Sequence, residues 1–243
     1  MEEHVYHHLR ALEDAHWWFR GRRAVIWALL GNLRLPAAPR ILDAGCGTGG
    51  NLAEFGRLGP AAGVDPSAVA VELCRERGLD GVVCGRIEEM PFADGSFDLL
   101  MATDVLEHVE DDRRAATELR RVAAPDSRLI ITVPAYRWLW GQHDDTHHHV
   151  RRYTRRELHA VLSEAGWKPI RETYFNTILL VPIALVRMLR RGRLRPGARS
   201  DYDLSGGPLN SGLTLPMRAE AWLLARGGRL PAGVSIAMLC RPA

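Results

Sequence analysis

Arg40-Ile41-Leu42-Asp43-Ala44-Gly45-Cys46-Gly47-Thr48-Gly49-Gly50 is the stretch from which the rest of the chain is read. Ile41 and Leu42 read as the end of a buried strand. Gly45, Gly47 and Gly49 follow as a turn in which backbone approaches a ligand with no Cβ in the way. Leu52, Phe55 and Leu58 then recur at helical spacing. Strand, glycine loop and helix in that order are the setting a nucleotide-binding glycine motif requires, although an ordinary tight turn has the same order. Gly45, Gly47 and Gly50 also fit G-x-G-x-x-G, so spacing leaves a dinucleotide open. Asp43 bears on the choice. A carboxylate two residues before the first glycine repels a pyrophosphate and suits a ligand with an ammonium and a sulfonium, as in S-adenosylmethionine.

Outward from this loop, the chain of 243 residues is long enough for one large α/β domain with insertions. Its 47% hydrophobic and 25% charged residues are ordinary for a globular protein, and a net charge of +3 is too small to argue for nucleic acid. Cys46, Cys74, Cys84 and Cys240 form no C-x-x-C pair, so neither zinc nor a disulfide framework is indicated. The first residues lack a signal-peptide apolar core, and a reducing cytoplasm is the expected location.

Residues 1–35 read as two helices. Between their apolar stripes lies His16-Trp17-Trp18-Phe19-Arg20-Gly21-Arg22-Arg23. These residues read either as a helix packed by its tryptophans or as a lid. In the lid, Trp18 covers a ligand and Arg22 clamps a carboxylate in a fork that Lys cannot match. Ala61 to Asp65 reads as a second strand ending in an acid about 20 residues after Gly45, the interval at which a carboxylate accepts ribose hydroxyls. Pro66 beside it opens a helix to about Arg77. Val82 to Cys84, Phe97 to Ala102 and Arg128 to Val133 read as strands three to five, with a helix beginning at Thr103 to Val109. Five strands alternating with helices predict a parallel, doubly wound sheet with its ligand at the carboxyl ends of the strands. A helix from about Thr154 to Ala165, a strand over 169–176, a helix from about Leu213 to Ala225 and a strand from Val234 to Cys240 complete the reading. Ile178 to Leu189 is nearly all apolar, too short to span a bilayer, and is expected in the core. Arginines follow it, and residues 192–212 read as a loop.

With Asp43 to Gly49, Asp65, the turn from Glu88 to Phe92 and Asp104 to Val109 placed, the chain resembles the class I S-adenosylmethionine-dependent methyltransferases. It is most similar to the small-molecule, type 11-like branch that includes quinone and sugar methyltransferases. The resemblance implies a Rossmann-like seven-stranded sheet of order 3-2-1-4-5-7-6 with strand seven antiparallel, in one domain over 1–243. Residues 1–35 would be its helical lid and 177–232 an insertion between strands six and seven. It implies methionine contacts from Asp43, Gly45 and Gly47, ribose contacts from Asp65, and adenine contacts from Ile87 and Glu88. Thr103 and Asp104 would border the methyl, with His108 near the cofactor. Two departures stand out. Arg86 stands where many relatives have an acid for the adenine amino group, and the 177–232 segment replaces a short hairpin.

The implied activity is methyl transfer from S-adenosylmethionine to a small-molecule acceptor, with S-adenosylhomocysteine as product. The acceptor would be of natural-product, sugar or quinone-like kind, and its oxygen the expected atom. A nicotinamide-dependent oxidoreductase and a silent S-adenosylmethionine-binding scaffold are the alternatives. No nucleic-acid partner is expected, and residues 178–199 could contact a membrane or a lipid-like substrate. A hydroxyl acceptor benefits from a base. The loop after strand five offers His149, from a His-x-Arg-Arg-Tyr pattern, and His143 beside Asp144. Trp140, Arg152 and Tyr153 would hold the acceptor. The same loop reads alternatively as a metal site or as structural. No metal is assigned, because the loop shows no i, i+4 helical histidine pair.

Overall fold

Seven strands hydrogen-bond into one sheet in the order β3-β2-β1-β4-β5-β7-β6. In chain order they are β1 (Ile41–Ala44), β2 (Ala61–Asp65), β3 (Val82–Cys84), β4 (Phe97–Thr103), β5 (Ala123–Pro134), β6 (Trp167–Phe175) and β7 (Ser235–Pro242). The computed structural model describes residues 3–31, 33–190 and 208–243. The first five strands are parallel, and β7 runs antiparallel between β5 and β6, as the resemblance implied. Leu42, Leu99, Leu100, Leu129, Ile130 and Ile131 are wholly buried, as expected for strands covered by helices on both faces.

The helices are α1 (Glu3–Leu12), α2 (Trp17–Leu30), α3 (Gly50–Phe55), α4 (Ala68–Glu76), α5 (Asp112–Val122), α6 (Gln142–Thr146), α7 (Arg155–Glu164), α8 (Leu180–Arg190) and α9 (Pro208–Ala225). One apolar layer joins the sheet to α5 and α7 through Ala116, Leu119, Leu158 and Leu162. The other joins it to α2 and α9 through Val25, Ile26, Leu29, Met217 and Leu224. A Cβ at Gly21 would lie 2.7 Å from the Met217 Cβ, so this glycine sets how closely α9 approaches α2. The order reverses between β1 and β4, which opens a crevice at the strands' carboxyl ends where ligands of such sheets bind.

Four expectations change. Thr103 to Val109 does not begin a helix. Asp104 adopts a left-handed φ of 57°, residues Leu106–His108 form one 3-10 turn, and α5 starts at Asp112 after Asp111 caps it. Strand β5 begins at Ala123, straight after α5, instead of at Arg128. Helix α9 begins at Pro208, instead of at Leu213, inside what read as a loop. The apolar run 178–189 is not core. Val181, Leu185, Met188 and Leu189 are exposed, Leu189 to 75%. The arginine-rich stretch from 191 lies outside the described residues. Among the described residues no helix is long and apolar enough to cross a membrane.

Candidate cofactor and acceptor site

A cavity of about 580 Å³ occupies the crevice, lined by the glycine loop, the ends of β2 and β4, helix α2 and one face of α8. Gly45 holds a φ of +75°, and a Cβ there would lie 2.4 Å from Val105 Cγ2. Gly47, at φ +54°, has nothing within 4 Å of a built Cβ. The first glycine therefore closes the loop onto β4's end, and the second leaves it open to a ligand.

At the end of β2 the Asp65 carboxylate accepts from the Gly47 N–H at 2.9 Å and the Ser67 N–H at 3.0 Å, with the Tyr6 hydroxyl at 3.4 Å. A carboxylate offers about four acceptor positions, so capacity remains for a ribose hydroxyl. Burial raises Asp65 above its ordinary value, and the two amides oppose the rise. Pro66, Ile87 and Glu88 also line the cavity. Arg86, mostly exposed, pairs with the Glu88 carboxylate, so the arginine found in place of an acid is neutralised by the acid two residues on.

Asp43 does not line the cavity; it is buried at the end of β1. Both its oxygens are buried, with the Leu52 amide of α3 and the Arg22 guanidinium as the groups that favour its ionised form. Burial, opposed by Arg22, raises it to about 7. The open glycine loop and the remaining acceptor capacity of Asp65 therefore fit S-adenosylmethionine, with Asp43 buried behind the loop.

The N-terminal helices are tied directly to the glycine loop. Glu13, just beyond α1, accepts from the Thr48 hydroxyl, the Gly50 N–H at 3.1 Å and the Arg77 guanidinium. Its acid side chain thus sits at the N-terminus of α3, where the helix dipole favours negative charge. The sequence reading passed over Glu13, and no spacing marks it. His16 caps α2 by accepting from the Trp18 N–H at 3.2 Å, and Trp18 lines the cavity while stacking on Phe175. The Arg22 guanidinium donates to the Asp104 carboxylate, whose other oxygen accepts from the Thr132 hydroxyl at 2.9 Å. Arg22, the expected cofactor clamp, lines the cavity and its ion pair joins α2 to the end of β4.

The histidine loop lines the cavity through His143, His147, His149 and Arg152. Asp144 is wholly buried and is held by four groups. Its Oδ1 accepts from His149 Nδ1 at 2.8 Å and Arg152 Nε at 2.7 Å. Its Oδ2 accepts from the Gly141 N–H at 2.8 Å, with Arg187 of α8 at 3.7 Å. Burial alone would raise this carboxyl; His149, Arg152 and Arg187 instead hold it well below the usual range. Asp144 is therefore not exposed to a substrate, and it orients His149, not its neighbour His143. With Nδ1 donating to Asp144, the neutral ring of His149 carries its lone pair on Nε2.

His108, His143, His147 and His149 all line the cavity. Burial first, then the neighbouring imidazoles, lower His108 to about 3 and push His143 well below its ordinary value, so both stay neutral near pH 7. Because α6 spans Gln142–Thr146, His143 and His147 do stand one helical turn apart, with ring centroids 4.1 Å apart. The absent i, i+4 pair is thus present. Trp140 and Tyr153 do not line the cavity. The Trp140 indole donates to Asp145 at 2.9 Å, and the buried Tyr153 hydroxyl donates to Asp112 at 2.8 Å. Of the three expected acceptor-holding residues, Arg152 alone reaches the wall.

Residues 42–131 match the family model described as a methyltransferase domain. The chain is 34% identical over 152 residues to a probable chloroplastic tocopherol O-methyltransferase of Oryza sativa, covering 56% of this chain and 42% of that protein. It is 32% identical over 123 residues to a ubiquinone/menaquinone biosynthesis C-methyltransferase of Citrifermentans bemidjiense, covering 44% and 52%. The chain thus spans about half the length of these curated relatives. A crystal structure of an S-adenosylmethionine-dependent methyltransferase from Thermotoga maritima superposes with a TM-score of 0.59 at 17% identity, covering 99% of this chain and 96% of that one. At that identity the likeness speaks for the fold.

Proposed function

We propose that this chain, which carries a class I S-adenosylmethionine-dependent methyltransferase domain, moves a methyl group onto an oxygen of a small, largely apolar molecule. The observation that carries the reading is the His149–Asp144 pair in the wall of the same cavity as the glycine loop. S-adenosylmethionine supplies a methyl on a sulfonium, open to in-line displacement. The chain's own residues bind, orient and deprotonate. Asp65 and Gly47 would hold the nucleoside end, and Asp43, buried behind the loop, would act on the ammonium through its charge alone. Trp18 and the Arg22–Asp104 pair close the cavity and keep water out.

His149 Nε2 takes the hydroxyl proton as the new bond forms, and Asp144 stabilises the resulting imidazolium without accepting the proton itself. His143 stands beside it as a neutral ring. Arg152 shares the same Asp144 oxygen, and Arg187 stands by the other.

Leu179, Pro182, Ile183 and Val186 make an apolar wall, which favours a quinol-like, lipid-like or natural-product acceptor. The outer side of α8, with Val181, Leu185 and Leu189 exposed, suits an acceptor drawn from a membrane surface. Relatives that methylate oxygen or carbon leave the acceptor atom open by likeness; the oriented imidazole is what favours oxygen. Labelled methyl transfer to a panel of quinols and prenylated alcohols tests the reading, which fails if the chain binds S-adenosylmethionine yet labels no hydroxyl.

A further inference from the structure

We propose that Glu107, His108 and His149 form a site for a borderline divalent metal ion, of the zinc, cobalt or nickel kind, on the acceptor side of the cavity. One ligand atom from each residue lies within 4.8 Å of the others. Bonds of about 2.0–2.2 Å require a tighter set, so the ligand atoms must draw together when the ion binds. Two imidazoles and one carboxylate, with positions left open, are a donor set that suits such ions better than magnesium or calcium.

Three observations point to a ligand. Glu107 is 1% exposed, and its Oε2 has no hydrogen-bond partner among the described residues. Burying a carboxylate oxygen without a partner costs free energy that a cation would return. Second, the His149 Nδ1 is taken by Asp144, which leaves Nε2 as the only donor for a metal. A carboxylate behind a ligating imidazole is the usual outer support of such sites. Third, the two halves are fastened together by the backbone. The Val150 N–H donates to the Glu107 carbonyl at 2.7 Å, and the rings of His108 and His149 meet nearly edge to face at 4.6 Å.

The surroundings indicate what would complete the coordination. The Asp104 carboxylate and the Arg22 and Arg152 guanidinium groups all act on Glu107, while Asp144 is paired with Arg152, Arg187 and His149. These charges nearly cancel, so a dication needs an anionic oxygen in its open positions. On the reading of this cavity as the acceptor site, that oxygen is the ionised acceptor. His149 is then a ligand in the metal-loaded chain and a proton acceptor in the metal-free one, and chelation separates the two roles.

The test uses the full chain, purified and treated with chelator, then titrated with Co²⁺ and followed by its visible absorption, and with Zn²⁺ in a calorimeter. S-adenosylmethionine binding is measured on the same samples. A single ion per chain is expected, with Glu107→Gln and His149→Ala each weakening it more than tenfold and Asp144→Asn about 10–100-fold. His108→Ala decides the case if Glu107→Gln fails to fold, as monitored by circular dichroism. Absence of ion binding by the wild type, or binding unchanged in the ligand variants, overturns the proposal. The methyltransferase reading fails separately, through lack of S-adenosylmethionine binding.

Discussion

The Nδ1 of His149 lies 2.8 Å from Oδ1 of Asp144, and that carboxylate is wholly buried between Arg152, the Gly141 amide and Arg187. One acid therefore fixes an imidazole, two guanidinium groups and the N-terminus of a helical turn. Removing it leaves buried cations without their partner. Asp144→Ala should cost about 3–5 kcal/mol, whereas His149→Ala should cost much less because the ion pairs stay. Thermal denaturation of the two variants checks the difference, and equal stability would show that Asp144 is not the anchor of the loop.

Asp65 accepts from Gly47 and Ser67, and in the proposed function its free acceptor positions would serve the ribose. Asp65→Ala should lower S-adenosylmethionine affinity by roughly 1.5–3 kcal/mol, the range for hydrogen bonds to a charged group. Calorimetry with unchanged affinity would remove Asp65 from the cofactor site.

Glu13 joins α1 to the glycine loop through Thr48, Gly50 and Arg77. Glu13→Ala should free that end of the lid, raising hydrogen exchange over residues 3–12 and weakening cofactor binding severalfold while the sheet keeps its protection. Unchanged exchange would mean that the Tyr6–Asp65 contact and apolar packing suffice to hold α1.

Asp43 stands at about 7 in the folded chain, against about 3.9 unfolded. The stability of its protonated form is fully present below about pH 4 and is lost as pH rises through 7. An ammonium ligand prefers the ionised carboxyl, so cofactor affinity should fall as pH drops below 7 through this group. Stabilisation of the chain by S-adenosylmethionine should accordingly be larger at pH 8 than at pH 6. Asp43→Asn should flatten that dependence; an identical pH profile in the variant would assign it to another group.

Much of this architecture was legible because it rests on local periodicity and on short motifs. Arg40 to Gly50 announces strand, loop and helix within eleven letters, and Asp65 and Pro66 follow at the interval a parallel neighbour demands. The partners of the site were less legible, because they are set by tertiary approach. Asp144 adjoins His143 in sequence, yet the single turn of α6 carries His143 toward His147 and gives the carboxylate to His149. Tyr153 follows Arg152, but successive side chains here point apart, one to the cavity and one to Asp112. Glu13 finds Thr48 only because α1 folds over the loop. The apolar letters of 178–189 do not tell a core helix from one whose outer face stays exposed.

Transfer of labelled methyl from S-adenosylmethionine to hydroxylated acceptors, compared between the wild type and His149→Ala at saturating cofactor, tests the role of the His149–Asp144 pair most directly. The expected result is label in a small-molecule ether made by the wild type, a fall of about 10²–10⁴-fold in the variant, and S-adenosylmethionine affinity the same within a few-fold. Equal transfer by the variant would contradict the claim that the His149–Asp144 pair carries the chemistry.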